Sequence, residues 1–219
     1  MRLLLIRHGQ TIDNVRGALG TEVPGPPLTE LGRKQADAVP AALESEQIEA
    51  IYVSTMLRTQ LTAAPLARAR GIDARVVDGL QEIYAGELEQ RADSASVHQY
   101  IGAIVAWQSD LRVRIPGGED GHEFFARYNA VIDDIAADHD GTVALVSHGA
   151  AIRTWASWAA GNIDGDFTRI RGLDNTGVVI LEGSPTDGWL ATQWEGEPIG
   201  GESLADADAP DPTGEASAS

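Results

Sequence analysis

Cysteine is absent from this 219-residue chain, which excludes disulfides, thiolate nucleophiles and cysteine-based zinc sites and agrees with a cytoplasmic location. Lysine is almost absent: of 16 basic residues only Lys34 is one, so positive charge is carried by planar guanidinium groups that fork onto phosphate or carboxylate oxygens. Long apolar runs are missing too. The early run Leu3 to Ile6 is closed by Arg7, too short for a signal-peptide core or a membrane span, and a soluble protein is expected. No basic residue follows Arg171, while ten acids do, leaving −7 of the net −17 to residues 1 to 171. A chain this acidic, with no basic stripe, would repel a nucleic acid backbone. Its length and 43% hydrophobic content suit one large domain with a substantial core.

The apolar spacing predicts strands alternating with helices. Arg2 to Ile6, Ala50 to Val53, Ala74 to Val77 and Thr142 to Val146 read as strands, the first two as buried ones and the last as strongly β-branched. Helices are expected from an N-cap at Thr29 to about Glu44, from Ser54 or Thr55 to about Arg70, and over Ser94 to Trp107, His122 to His139 and Ala150 to Ala160. Gly17 to Pro27 is loop by its glycines and prolines, as is the Pro116 to Gly121 stretch. Thr176 to Leu181 and Trp189 to Trp194 read as a closing hairpin. There is no internal repeat. The pattern predicts a three-layer α/β/α sandwich with a mostly parallel central sheet over residues 1–199, and a disordered, solvated acidic tail over 200–219 whose removal leaves turnover unchanged.

In such sheets ligands bind at the carboxyl ends of the strands. Three polar groups fall there: Arg7-His8-Gly9, Ser54 followed by Arg58, and Ser147-His148-Gly149. Two histidines and two arginines thus meet at one edge, where Gly9 and Gly149 allow close backbone approach. This is an anion site, and a phosphoryl group fits it best: the guanidiniums match its oxygens and a neutral imidazole can attack phosphorus.

The ordered set Leu4, Ile6-Arg7-His8-Gly9-Gln10-Thr11, Asn14, Pro27-Leu28-Thr29-Glu30-Leu31-Gly32, Gln35-Ala36, Ser54, Arg58, Thr62, Leu80, Glu82, Gly86 and Ser147-His148-Gly149 resembles the histidine phosphatase superfamily, also called phosphoglycerate mutase-like. The resemblance implies that His8 is a nucleophile forming a transient phosphohistidine. It implies that Arg7, Arg58 and His148 hold the transferring phosphoryl with Asn14 as a neutral donor, and that Glu82 is the general acid, then base, with a raised pKa. Gly20, Thr21 and Gly149 would line the substrate site, and no cofactor or metal is expected beside the arginines.

Two departures fall where the non-phosphate part of a substrate would lie: Leu88-Glu89-Gln90 stands where many members have Trp-Glu-Gly, and Gly20-Thr21 replaces a frequent Gln-Gly pair. Residues 87 to 121 are expected to form a cap that sets specificity. Its segment carries only Arg91, Arg112 and Arg114, fewer bases than a mutase needs to grip a phosphorylated acid. The expected activity is therefore hydrolysis of a small phosphorylated metabolite, with a mutase and a non-catalytic phosphate-binding module as alternatives, and a homo-oligomer left open. Glu87 and Glu89 compete with Glu82 as the acid. Ser54 and Ser147 lack a nucleophile elbow and read as helix-cap or turn residues. His98, His122 and His139 read as surface or helix-end residues, and Trp155 with Trp158 as one core-facing pair.

Overall fold

Arg2–Arg7 forms the first strand, β1, because its four central side chains are apolar in both registers of a pleat. In the computed structural model, which describes residues 1–206 and 208–214, Leu3 and Leu5 join a cluster with Trp107, Phe124 and Trp155. Leu4 and Ile6 point the other way and pack with Val39, Val53 and Leu66. A strand with no polar face must be covered on both sides, and β1 therefore lies inside the sheet.

The other strands are β2 (Ile48–Ser54), β3 (Ala74–Val77), β4 (Thr142–Ser147), β5 (Val178–Ser184) and β6 (Gly188–Glu195), in the order β3-β2-β4-β1-β5-β6. The pairs β1·β4, β2·β4 and β2·β3 are parallel, while β1·β5 and β5·β6 are antiparallel. The expected α/β/α sandwich is what forms. Helices α2 (Glu30–Ala42) and α3 (Leu57–Arg70) cover one face through Val39, Ala63 and Leu66; α4 (Ser94–Ala106), α5 (Gly121–Asp138) and α6 (Gly149–Ala159) cover the other through Tyr100, Phe124 and Trp155.

Local caps fix where several helices begin. Thr29 Oγ1 accepts from Gly32 N at 3.0 Å, as its sequence context predicts, and Asp120 and Glu123 form a reciprocal capping box at the start of α5. The third helix starts later than expected: its N-cap is Met56 and no side chain caps it. Two short helices, α1 (Ile12–Arg16) and α7 (Gly165–Ile170), had no periodicity to announce them.

Two expectations are corrected. Trp158 is 52% exposed and only stacks on Phe125 at 4.5 Å, whereas Trp155 is 1% exposed between Tyr128 and Trp189. A spacing of three turns the second ring away from the sheet. Trp155→Ala is expected to lower stability by about 3–5 kcal/mol, and Trp158→Ala by about 1 kcal/mol, in chemical denaturation. The second correction concerns the tail. Over residues 201–206 and 208–214 the chain is not unstructured: a 3-10 turn at Glu202–Leu204 docks on α2 through Gln35 Nε2 to Leu204 O at 2.8 Å, and Asp211 and Thr213 are buried. Composition predicted solvation, but buried guanidiniums at the sheet edge require carboxylate and carbonyl partners, which this segment supplies. Ala207 and residues 215–219 lie outside the described residues.

Candidate active site

Sheet register assembles the site. Arg7 pairs with Ser147 at the ends of β1 and β4, and Val53 with Val146 one step before, so His8, Ser54 and His148 emerge at one edge. The ring centroids of His8 and His148 are 5.2 Å apart. A cavity of about 10 Å³, roughly the room of one water, is lined by His8, Asn14, Gly20, Thr21, Arg58 and Glu82, among others. Six of the nine predicted site residues line it, and His148 lies beside His8.

The tautomer of His8 follows from its partner. Its Nδ1 lies 2.8 Å from Gly9 O, and a carbonyl only accepts, so Nδ1 carries the proton and a neutral ring keeps its lone pair on Nε2. Burial, with Arg58 and Arg7 adding repulsion, holds the His8 pKa well below 6.5. The ring is neutral at physiological pH. His148 is fixed the other way: Arg58 Nε donates to its Nδ1 at 3.2 Å and its Nε2 lies 2.8 Å from Ser54 Oγ. Burial and Arg58 lower its pKa well below 6.5 as well.

Arg58 reaches the site from the first turn of α3, donates from Nη2 to Gly20 O at 3.0 Å, and leaves Nη1 without a partner among the described residues. Burial lowers its pKa to about 10, so it stays charged. Arg7 is fully buried; Nη1 donates to Leu173 O at 2.7 Å, and Nη2 meets Thr213 Oγ1 at 3.1 Å and Asp211 Oδ2 at 2.5 Å. Asn14 Oδ1 accepts from Thr11 N at 2.8 Å, and its amide donates to Asp211 Oδ1 at 3.2 Å.

Of the three glutamates weighed as the acid, Glu82 alone lines the His8 cavity. Glu87 is exposed, and the Glu89 carboxylate is taken by Thr21 N and Thr21 Oγ1 at 2.9 and 2.5 Å. Glu82 sits at the N-terminus of α6, where Oε1 accepts from Ile83 N and Ala151 N at 2.9 and 2.8 Å and Oε2 from Ala150 N at 3.1 Å. Those donors favour the anion, as the helix dipole does. Burial outweighs them, and the pKa is raised from 4.5. With two donors on Oε1 and one on Oε2, the proton has room on Oε2.

Some predicted residues take other duties. Gly9 is required by helix packing: a Cβ there would lie 2.6 Å from Gly32 O. Gly149 is crowded in the same way by Thr213 O at 2.6 Å and Arg7 Nε at 2.9 Å. Thr21 spends its donors on Glu89 and accepts from Ala85 N at 2.9 Å, so it braces the loop at the cavity wall. Ser54 orients His148 besides accepting from Met56 N at 3.3 Å. His98 and His122 are exposed, while His139 is held by Tyr52 Oη at 3.0 Å and Glu49 at 3.2 Å.

Three further residues reach the site without having been singled out. Asn175 Nδ2 donates to His8 O at 3.0 Å; because β5 is antiparallel, its start lies at the edge where β1 ends. Arg127 donates to the carbonyls of Gly79, Gln81 and Glu82 at 2.7, 2.9 and 3.0 Å and so fixes the loop bearing Glu82. Asp211 comes from the tail.

The same architecture is found in known proteins. A model of the histidine phosphatase superfamily (branch 1) matches residues 3–197. The PE-PGRS family protein PE_PGRS11 of Mycobacterium tuberculosis is 34% identical over 92% of this chain, which spans only 38% of that relative. The probable phosphoglycerate mutase GpmB of Salmonella choleraesuis is 31% identical over 96% of this chain and 98% of its own. A mycobacterial glucosyl-3-phosphoglycerate phosphatase, solved in complex with VO3, superposes with a TM-score of 0.75 at 28% identity, covering 90% of this chain and 99% of that one. From its central sheet to the histidines at the strand ends, this chain belongs to the histidine phosphatase superfamily, branch 1.

Proposed function

We propose that this chain hydrolyses a small phosphorylated metabolite through a phosphohistidine on His8. The observation that carries the reading is the Nδ1 contact with Gly9 O, which leaves Nε2 of a neutral ring to attack phosphorus. As the N–P bond forms, the P–O bond to the alcohol breaks and Glu82 gives its proton to the departing oxygen. Water then attacks the phosphohistidine, Glu82 takes its proton, and the N–P bond breaks to release phosphate and restore both groups. Arg7 and Arg58 offset charge on the equatorial oxygens, with Asn14 as a neutral donor, and His148 acts by holding the Arg58 guanidinium in place through its Nδ1, roles that need positioning more than covalent chemistry. Residues 87 to 121 act as the cap, and a cysteine-free chain suits the cytoplasm.

Hydrolysis is favoured over mutase chemistry by where the cap's charge goes. Arg91 pairs with Asp93 at 2.8 Å, Arg112 with Asp110 at 2.8 Å, and Arg114 with Asp120 at 2.6 Å. Arg127 is held by Glu119 at 2.6 Å. A cavity of about 460 Å³ adjoining Glu82 is bordered by Glu22, Asp78 and Glu119, with Arg127, already paired to Glu119, as the cation in its lining, so a glycerate carboxylate placed there would meet more negative charge than positive. Phosphate release from a panel of monoesters, with a chelator present, tests the reading. Turnover is expected to survive chelation, with glycerol 3-phosphate preferred over 3-phosphoglycerate by about tenfold or more in kcat/KM. Transfer between hydroxyls of phosphoglycerate without phosphate release would establish the mutase instead.

A further inference from the structure

The carboxylate of Asp211 occupies the ground a phosphoryl group needs. Its two oxygens are bound by Arg7 Nη2 at 2.5 Å and Asn14 Nδ2 at 3.2 Å, both of them groups that the proposed reaction uses to hold phosphate. Thr213 fills the neighbouring space, with Oγ1 on Arg7 at 3.1 Å and its carbonyl accepting from Arg153 at 3.3 Å. Leu173 N donates to Gly214 O at 2.8 Å, pinning the end of the turn. The room left beside His8, about 10 Å³, accepts a water but not a tetrahedral oxyanion.

We propose that residues 208–214 are a tethered competitor of the substrate's phosphoryl group, with Asp211 as its stand-in, and that this turn must withdraw before a phosphomonoester can bind. The inference rests on the reading of the site given above. Its charge logic is direct. Arg7 and Arg153 are buried side by side and require an anion between turnovers; a carboxylate supplies one charge, and an incoming phosphoryl dianion supplies about two with more acceptor oxygens, so it can displace the carboxylate.

The tether keeps that competition local. Gln35 holds Leu204 O at 2.8 Å, and Gln10 Nε2 donates to Asp206 Oδ2 at 2.7 Å. Asp211 thus hangs a few residues from an anchored point, which sets its effective concentration near the millimolar range. A plug of this kind raises the apparent dissociation constant of every phosphoryl ligand by the reciprocal of the open fraction, and leaves kcat unchanged. If the turn is withdrawn about a tenth of the time, the penalty is about tenfold.

The test uses the full chain and its Asp211→Asn and Asp211→Ala variants, with inorganic phosphate as the probe in calorimetry. Both substitutions are expected to tighten phosphate binding about tenfold and to lower KM by a similar factor with kcat within twofold. Phosphate is also expected to raise the melting temperature more in the variants than in the parent, which reports competition even where a variant is less stable on its own. Unchanged or weaker phosphate binding in both variants, with turnover intact, would overturn the inference alone and make the turn part of the binding wall. No phosphate bound by any of the three proteins would overturn the inference together with the reading of the site.

Discussion

His8→Ala is expected to lower kcat by about 10⁴-fold or more and to abolish any acid-labile, base-stable phosphoprotein trapped by quenching during turnover. The size follows from the loss of a covalent path, since no other described group offers a neutral lone pair beside the arginines: His148 spends both nitrogens on Arg58 and Ser54. The trapping separates nucleophile from binder. His148→Ala should slow phosphorylation yet still give a labelled protein. A labelled His8→Ala protein would place the nucleophile elsewhere. The pH dependence has a defined sign. Protonation of Nε2 blocks attack, and because burial and two guanidiniums hold the His8 pKa well below 6.5, the acid-side decline in kcat/KM due to this residue should lie well below the pH at which a free imidazole titrates.

Glu82→Gln should cost about 10²- to 10⁴-fold in kcat on alkyl phosphates, whose departing oxygen needs a proton. On p-nitrophenyl phosphate, whose leaving group is stable as an anion, the first step should survive while water attack on the phosphohistidine slows. The signature is a burst of nitrophenol of one equivalent followed by a slow steady state. The alkaline limb belongs to the same residue. Glu82 must be protonated to act as the acid, and burial raises its pKa from 4.5, so activity on alkyl phosphates falls as pH climbs past that raised value. The variant should lack this limb. Equal losses on both ester classes, with no burst, would assign Glu82 a structural part at the head of α6.

Much of this was legible in the residues. The run Leu3 to Ile6 announced a buried strand, and strand ends carrying Arg7-His8 and Ser147-His148 predicted a shared edge, because parallel strands direct their C-termini the same way. The glutamate was legible only by resemblance, since its burial against the α6 amides depends on a loop with no periodicity. Direction was the harder quantity. Nothing in Thr176 to Leu181 said that this strand runs antiparallel to β1, so Asn175 was missed. Trp158 misled through spacing, which specifies a face but not where the layer beneath it ends. The tail misled through composition: acidity measures affinity for water, and the competing affinity of buried arginines for Asp211 lies about 200 residues away in the chain.

The placement of β1 has a consequence for how the protein comes to exist. The strand that leads into His8 precedes both of its sheet neighbours, residues 142–147 and 178–184, by a long stretch of chain. Every backbone bond that holds it in the sheet waits for chain that lies far downstream, so its pairing closes long loops and belongs among the slow, late events of folding. The two histidines are thus brought abreast only once β4, far downstream of β1, has been made and paired.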